Sequence, residues 1–343
     1  MDIQVALQKI SLKQDLTDIE MTSLMRKLFS GDFTEAQIGA FILGLRSKGE
    51  TITELTAAAK VMRELSVKVN FQDDLLLDTC GTGGVSSGIF NVSTASALLL
   101  ASCGVKIAKH GNRTVTRKSG SADLLEEAGV NLNLSPEQIK ICIEKIGIGF
   151  MFAPSHHNVM KHVMGPRKEI GIKTIFNVLG PLTNPAEPLN QIMGVYKKEL
   201  IIPIIEVLRS LGSKRAMVVH SEDGLDEISI VENTHIAELK DGIIREYIIN
   251  PKDFDVNFNT LEPLKVYSPK ESLVLVKEGL TGKNKEASAM IALNSGAGFY
   301  LVGMAQSLEE GIKLAKNAIS SKKGLFKLDE LVSLTNELIS KNE

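Results

Sequence analysis

The chain has 343 residues, a length that predicts one sizeable core with a smaller domain attached. Hydrophobic residues make up 43% of the sequence and charged residues 23%, a balance that excludes disordered and fibrous proteins. The formal net charge is only −2, so nothing draws the chain generally to nucleic acid or to an anionic membrane. Small molecules are therefore the favoured partners.

The N-terminal stretch carries an acid, Asp2, where a secretory signal carries bases, and no apolar run reaches membrane-spanning length. We therefore expect a cytoplasmic protein that does not enter a membrane. The three cysteines, Cys80, Cys103 and Cys142, lack metal-binding spacing and are expected to be reduced. Cys80 adjoins a glycine loop, where it is either a small buried filler or a nucleophile.

Three helix-start patterns recur in the first 66 residues. Each is a threonine followed three residues later by Glu or Gln, the spacing of a capping box. The pairs are Thr17 with Glu20, Thr34 with Gln37 and Thr51 with Glu54. Apolar residues follow each pair at helical spacing. The pattern predicts a small all-helical domain over residues 1–70, joined by part of residues 165–190.

After residue 70, short apolar runs alternate with helix signals. The runs are residues 75–78, 105–108, 147–152 and 216–219. This alternation predicts an α/β domain over residues 71–343, with a central, mainly parallel sheet whose ligands bind at the carboxyl ends of the strands. The turn formers Pro181, Pro185 and Pro188 predict a crossing between domains or a lid hinge. Two β-rich runs between residues 236 and 266 flank Asp241-Gly242, which predicts a hairpin.

The first chemistry-bearing segment is a glycine loop over residues 78–84, followed by Phe90-Asn91-Val92-Ser93-Thr94 and an apolar helix. Glycines allow backbone amides to converge on an anion, and a helix N-terminus adds free amides, so the segment predicts a phosphate or diphosphate site. The alternative is a tight strand-to-helix turn in which Asn91 or Ser93 is an ordinary cap. The glycine spacing fits neither a Walker loop nor a Rossmann fingerprint, which argues against ATP and NAD.

A basic loop starts with Lys109-His110-Gly111-Asn112-Arg113 and continues to Asp123. Its four cations alternate with hydroxyl and glycine residues, a composition that neutralises a highly charged phosphate ester. The loop also follows a strand, where α/β enzymes place their sites. The alternative is a solvated surface loop.

An acidic turn follows a later strand and contains Asp226 and Glu227, which we predict to hold Mg²⁺ because it is a hard cation that bridges carboxylates to phosphates. The alternative is a surface turn. Arg167 ends a helical segment, where it either forks onto a substrate carboxylate or forms an interhelix salt bridge. The adjacent His156 and His157 do not have zinc-site spacing.

Seven blocks of sequence stand in order between residues 78 and 229. They are Cys80–Gly84, Phe90–Thr94, Lys109–Arg113, Gly120–Asp123, Thr174–Asn177, Gly180–Pro185 and Asp223–Glu227. Together they resemble the anthranilate phosphoribosyltransferase family. The resemblance implies the fold shared with pyrimidine nucleoside phosphorylases, a homodimer, and transfer of ribose 5-phosphate from phosphoribosyl diphosphate to the amine of anthranilate in tryptophan biosynthesis.

The resemblance also implies roles for individual residues. The donor-binding set comprises Gly81, Gly84, Val85, Ile89, Asn91, Val92, Ser93, Thr94, Lys109, His110, Gly111, Asn112, Arg113, Thr114, Val115, Thr116, Arg117 and Ser121. Anthranilate would contact Gly81, Asn112 and Arg167, with His110 and His157 along its entry path, and Mg²⁺ would bind Ser93, Asp226 and Glu227. No residue is assigned as a general base, because a weakly basic aromatic amine needs none before attack.

The sequence departs from the family pattern at two positions. Val85 stands where the family has Asp, and Ile89 stands where it has Thr, so the donor site lacks a carboxylate and a hydroxyl. Two alternatives stay open here. One is a nucleoside phosphorylase on the same fold, and the other is a non-catalytic relative that binds nucleic acid or another ligand.

Overall fold

The N-terminal part of the chain is a set of four helices in the computed structural model, which describes residues 1–83, 88–113 and 119–340. The helices are α1 (Ile3–Ser11), α2 (Asp18–Ser30), α3 (Glu35–Lys48) and α4 (Ile52–Glu64). The predicted capping boxes are confirmed at the starts of α2, α3 and α4, where each threonine side chain accepts from the backbone three residues on. Their apolar faces meet in a shared core.

A seven-stranded sheet forms the centre of the larger part. Its strands are β1 (Leu77–Gly81), β2 (Ile107–Gly111), β3 (Ile148–Phe152), β4 (Asn190–Gly194), β5 (Arg215–Ser221), β6 (Thr234–Lys240) and β7 (Ile243–Ile249). The order is β3-β2-β1-β4-β5-β6-β7, with β3 through β5 parallel and β6 and β7 antiparallel. The predicted fold class, a helical unit with a mainly parallel α/β sheet, is confirmed.

Eleven further helices follow in the described part of the chain. They are α5 (Val92–Ser102), α6 (Ser121–Glu127), α7 (Pro136–Ile146), α8 (Ala153–His156), α9 (Lys161–Ile170), α10 (Ile175–Leu182), α11 (Ile201–Ser210), α12 (Pro269–Leu280), α13 (Lys285–Leu301), α14 (Leu308–Ser320) and α15 (Lys323–Ser340). Helix α5 is buried almost all round, against the sheet and against α13 and α15. Within the described residues, no helix is both long and apolar enough to cross a membrane.

The chain returns to the N-terminal helices after β3. Helix α9 packs on α2 and α3, and α10 packs on α3 and α4, so their apolar residues share one core with the N-terminal helices. Phe176 of α10, for example, meets Phe29 of α2 edge to face at a ring separation of 6.4 Å. The segment that leads to Arg167 therefore belongs structurally with the helical unit.

Several element predictions need correction. The glycine loop begins later than predicted, since β1 runs to Gly81. Pro181, predicted to lie in a crossing or hinge, is the seventh residue of α10, one before the helix ends. Strand β4 was not predicted. The hairpin at Asp241-Gly242 is confirmed, with φ of 52° and 76°, but beyond β7 the chain forms short 3₁₀ turns rather than strand.

Candidate active site

The site residues collect where four parallel strands end. Gly81 at the end of β1 is the register partner of Gly194 at the end of β4, and Gly111 ends the neighbouring β2. The turn after β5 carries Asp226 and Glu227. Because these strands are parallel and adjacent, their loops emerge at one edge of the sheet, as predicted.

Asp226 occupies a slot between the two paired glycines. A Cβ on Gly81 would lie 2.6 Å from Asp226 Oδ2, and a Cβ on Gly194 would lie 1.7 Å from the Asp226 carbonyl oxygen. Any side chain at either position would displace the turn. Asp226 is only 4% exposed, so its carboxylate is held in a defined place at the sheet edge rather than on a solvated surface turn.

The turn that carries Asp226 is fixed from both sides. Ser229 Oγ donates to Asp223 Oδ2 at 2.5 Å, and the Ile228 amide donates to Asn294 Oδ1 of α13 at 2.9 Å. Asp223 therefore orders the turn, which leaves Asp226 and Glu227 as its candidate metal ligands. Across the described residues, no three His, Cys, Asp or Glu side chains group closely enough to hold a metal ion.

Lys109 is a buried cation at the centre of the site. Its side chain is 2% exposed, and Nζ donates to the Thr79 carbonyl at 2.6 Å and to Ser93 Oγ at 3.3 Å. Burial lowers the pKa of Lys109 from its ordinary value, and the negative charges of Asp78 and Glu227 oppose that shift. Lys109, Ser93 and Glu227 are thereby brought to one place by β2, the start of α5 and the turn after β5.

Asp78 is a fully buried carboxyl group behind Lys109. Its oxygens accept from the His110 amide at 3.5 Å and from Gln191 Nε2 at 3.3 Å. Burial raises the pKa of Asp78, and the charge of Lys109 opposes the rise. Burial also raises the pKa of the Cys80 thiol well above its ordinary value, which argues against a thiolate nucleophile and favours the filler interpretation.

Asn91 precedes α5, as predicted for a helix-start residue, but its side chain does not cap the helix. Instead Asn91 Oδ1 accepts from Ser119 Oγ at 2.8 Å and from Ser272 Oγ of α12 at 2.7 Å, and Nδ2 donates to the Ser119 carbonyl at 3.3 Å. These bonds fasten the far end of the basic loop beside the N-terminus of α5. The neighbouring Thr94 hydroxyl is buried and has no hydrogen-bond partner among the described residues.

The two ends of the basic loop also meet directly. A Cβ on Gly111 would lie 2.1 Å from Ser121 Oγ, and the Ala122 amide donates to the Asn112 carbonyl at 3.2 Å. Arg113 is exposed, and its guanidinium forms two hydrogen bonds to Glu126, at 2.6 and 2.8 Å. In this arrangement Arg113 is paired with Glu126 of α6, the helix that follows its loop.

The remaining donor-set residues divide into two groups. Ile89 and Val92 are buried in the hydrophobic core, so their side chains are not available to the site. The others lie outside the described residues. They are Gly84, Val85, Thr114, Val115, Thr116 and Arg117.

Two buried histidines lie together, and one of them, His110, follows Lys109 in β2. The rings of His110 and His157 are 5.2 Å apart, and within the described part of the chain His110 Nε2 and both ring nitrogens of His157 lack hydrogen-bond partners. Burial lowers the pKa of His110 well below its usual range and that of His157 to about 4, so both rings are neutral at physiological pH.

Arg167 lies on α9, with its guanidinium 5.8 Å above the ring centre of Phe176. Among the described residues it forms no salt bridge, so the alternative of an interhelix ion pair is not found there. Burial lowers the pKa of Arg167, but the side chain remains a cation because its ordinary value is so high.

Sequence reasoning missed two residues at this edge. Gly194 has no local pattern that marks it, because its role arises from the approach of Asp226. Lys173 was also not singled out, yet its Nζ donates to the Gly83 carbonyl at 2.7 Å. The one available signal was its position immediately before the Thr174–Asn177 block.

Comparison with known proteins gives matches over almost the whole chain. Residues 73–325 match the a/b domain of a glycosyl transferase family, and residues 4–66 match the helical bundle domain of that family. The anthranilate phosphoribosyltransferase of Ectopseudomonas mendocina (strain ymp) is 51% identical over 347 residues, which covers 100% of both chains. The chain belongs to the anthranilate phosphoribosyltransferase family. A second member, from Ruthia magnifica subsp. Calyptogena magnifica, is 53% identical over 97% of this chain and 98% of its own.

Solved structures of anthranilate phosphoribosyltransferases share the whole fold. The Thermus thermophilus enzyme superposes with a TM-score of 0.91 at 37% identity, covering 98% of this chain and 100% of its own. The Saccharomyces cerevisiae enzyme, in complex with PRPP and Mg, superposes with a TM-score of 0.89 at 26% identity, covering 98% of each chain. Another structure of the yeast enzyme contains 4-fluoroanthranilate.

Proposed function

We propose that this protein transfers the 5-phosphoribosyl group from phosphoribosyl diphosphate to the amine of anthranilate and releases diphosphate. The observation that carries the proposal is the convergence of buried Lys109 with Ser93, Glu227 and the slotted Asp226 at one sheet edge. A desolvated cation beside fixed carboxylates suits a polyanion that brings its own divalent cation. Family membership, at about half identity over the full length, supports the same assignment.

The carboxylate pair fits Mg²⁺. Asp226 and Glu227 offer hard oxygen donors, and the glycine slot that a Cβ would fill fixes the position of the first. Ser93 would add a hydroxyl. When bound, Mg²⁺ would stabilise negative charge on the departing diphosphate. Two carboxylates leave room for substrate phosphate oxygens, as is usual where this ion binds phosphate esters.

The protein's own groups would assist departure of the diphosphate. The bond from the anomeric carbon to the diphosphate oxygen breaks while a bond to the anthranilate nitrogen forms, and the amine releases one proton to water. Lys109 spends two of its three donor positions on Thr79 and Ser93 among the described residues, and the third is available to a phosphate oxygen. A preorganised cation stabilises charge that grows in the transition state.

Anthranilate would be held by its carboxylate and its ring. Arg167 would supply a planar cation for the carboxylate, and Gly81 and Asn112 would also contact anthranilate. The neutral His110 and His157 rings suit an aromatic neighbour, since neither would add charge. Positioning then accounts for much of the acceleration, and we assign no general base.

The test follows loss of anthranilate fluorescence in a mixture of protein, Mg²⁺, phosphoribosyl diphosphate and anthranilate. We expect loss that requires all four components. A parallel reaction with inorganic phosphate and a pyrimidine nucleoside tests the phosphorylase alternative. Nucleoside cleavage without anthranilate loss would replace the proposal with that alternative, and inactivity in both reactions would indicate a non-catalytic relative.

The proposal includes three expectations from the sequence. They are a cytoplasmic location, a homodimer, and a division near residue 70 between a helical domain and an α/β domain. Part of residues 165–190 would belong to the helical domain. Size measurement in solution tests the second of these. A monomer at micromolar concentration would contradict it.

A further inference from the structure

The glycine loop is held at its described end by three bonds. The Thr82 amide donates to the Gly194 carbonyl at 2.9 Å, and Thr82 Oγ1 accepts from the Tyr196 amide at 3.0 Å. The next carbonyl, that of Gly83, accepts from Lys173 Nζ at 2.7 Å. The first two bonds come from strand β4 and its extension, whereas the third comes from the connection between α9 and α10.

Lys173 is itself held in place. Its Nζ lies 3.8 Å from the ring centre of Tyr196, a distance at which the ring face attracts a cation. Tyr196 is 5% exposed, so the attraction operates in a partly desolvated setting, where it is stronger than on an open surface. Tyr196 therefore contacts the loop directly, through its amide and Thr82, and also contacts Lys173 through its ring.

The bond from Lys173 to Gly83 joins two different parts of the protein. Helix α9 packs on α2 and α3 of the helical unit and carries Arg167, six residues before Lys173. Gly83, in contrast, belongs to the loop after β1 in the α/β part. The Lys173–Gly83 bond thus joins the segment proposed for anthranilate to the loop proposed for the donor.

The Gly83 carbonyl also matters electrostatically. Gly83 has a φ of +76°, a conformation that glycine adopts at no steric cost. A carbonyl oxygen in a diphosphate-binding loop would repel the substrate if it turned inward. A charged donor that holds this oxygen fixes its direction and offsets its partial negative charge.

We propose that Lys173 is a positioning residue that ties the donor loop to the anthranilate-binding helices, so that each substrate binds more tightly when the other is present. The inference rests on the proposed function, because it takes the donor and acceptor sites from it. Coupling of this kind is reciprocal by thermodynamic necessity. Lys173 touches neither substrate in this account and acts through Gly83 and Tyr196.

The experiment compares Lys173→Met with Lys173→Arg and with Lys168→Met. Methionine keeps the apolar stem and removes the charge, arginine keeps a charged donor, and Lys168 is an exposed lysine on α9 that serves as the matched control. We expect Lys173→Met to raise the donor KM about 10-fold, the effect of losing one hydrogen bond from a charged group. The kcat at saturating donor should change less than twofold.

The arginine variant should recover most of the donor affinity, and Lys168→Met should match the wild type. A donor KM within twofold of the wild type in Lys173→Met would overturn the proposal, as would equal impairment of the methionine and arginine variants. If Lys173→Met does not fold, Lys173→Gln takes its place, and an unchanged donor KM in that variant has the same consequence.

Calorimetry separates this inference from the proposed function. The Kd of anthranilate is measured with and without saturating magnesium diphosphate, a pair that cannot react. In the wild type we expect diphosphate to tighten anthranilate binding, and in Lys173→Met we expect that gain to disappear. Equal gains in both proteins would overturn the proposal. A wild type that binds both ligands but produces no turnover would count against the proposed function alone.

Discussion

The two halves of the central sheet each bury a charged side chain, and the two side chains have different kinds of partner. Glu238, in the antiparallel half, is 6% exposed, and its two oxygens accept from Tyr247 and Tyr300 hydroxyls, each at 2.9 Å. Lys109, in the parallel half, is 2% exposed and shares its surroundings with two acidic side chains.

The two side chains differ in how much of their hydrogen-bonding capacity the protein uses. Glu238 has one strong donor for each carboxylate oxygen, and its pairing is complete within the protein. Lys109 Nζ binds only the Thr79 carbonyl of β1 and Ser93 Oγ of α5 among the described residues, which leaves one of its three donor positions for a ligand. A buried charge therefore does not identify a site by itself, whereas a buried charge at the carboxyl ends of parallel strands does. The predictions that follow test this division.

The largest effect is expected from Glu227→Gln and from Asp226→Asn. Each change keeps the shape and removes a charge from the proposed metal site, so kcat/KM at fixed Mg²⁺ should fall roughly 100- to 1000-fold, as for several kcal/mol of lost charge stabilisation. Thermal unfolding should stay near that of the wild type. Steady-state kinetics over a Mg²⁺ titration provide the measurement, and unchanged curves would remove these residues from the metal site.

The second largest loss of activity is expected from Gly194→Ala. The added methyl would collide with the Asp226 carbonyl and shift the acidic turn, and a displacement of about 1 Å at a reacting centre can cost roughly 100-fold in rate. Gly39→Ala in α3 is the matched control, because a Cβ there meets nothing within 4 Å. Wild-type kcat in Gly194→Ala would show that the turn relaxes without consequence.

Arg167→Ala should act on one substrate only. Loss of a charged hydrogen-bond donor worth about 1.5–3 kcal/mol should raise the anthranilate KM roughly 10- to 100-fold and leave the donor KM unchanged. Lys168→Ala, one residue further along the helix, controls for charge. Equal increases in both KM values would indicate a general disturbance of α9 and would contradict a carboxylate-binding role.

The smallest effect, and one confined to stability, is expected from Tyr300→Phe. The change removes one of the two bonds to Glu238 at a partly exposed position, so the free energy of unfolding should fall by about 1 kcal/mol while kcat/KM stays unchanged. Urea denaturation measures the first quantity and the fluorescence assay the second. A decrease in kcat/KM beyond twofold would mean that the antiparallel half also serves the reaction.

Local patterns predicted the features that depend on local bonds. The three capping boxes each close within four residues, so their sequence is sufficient to predict them. The same holds for the Asp241-Gly242 turn, where both residues adopt positive φ. The shared edge of the strand-end loops also followed from the alternation of elements, because parallel strands carry the basic loop and the acidic turn to the same side of the sheet.

The missed features depend on contacts between distant segments. Strand β4 starts with Asn190 and Gln191, which break the apolar pattern expected of a central strand. Their side chains are satisfied by the carbonyls of Asp74, Leu76 and Pro181, none of which is predictable from the strand itself. Gly194 and Lys173 were not predicted because their roles also depend on contacts with distant segments.

Helix α5 shows what remains constant while substrates come and go. Nearly all of its residues are enclosed by the sheet and by neighbouring helices, so it has no room to pivot. Ser93 lies in the first turn of this helix, so its position is fixed by the packing of α5. We therefore expect any rearrangement on substrate binding to occur in the segments around this helix rather than in the helix itself.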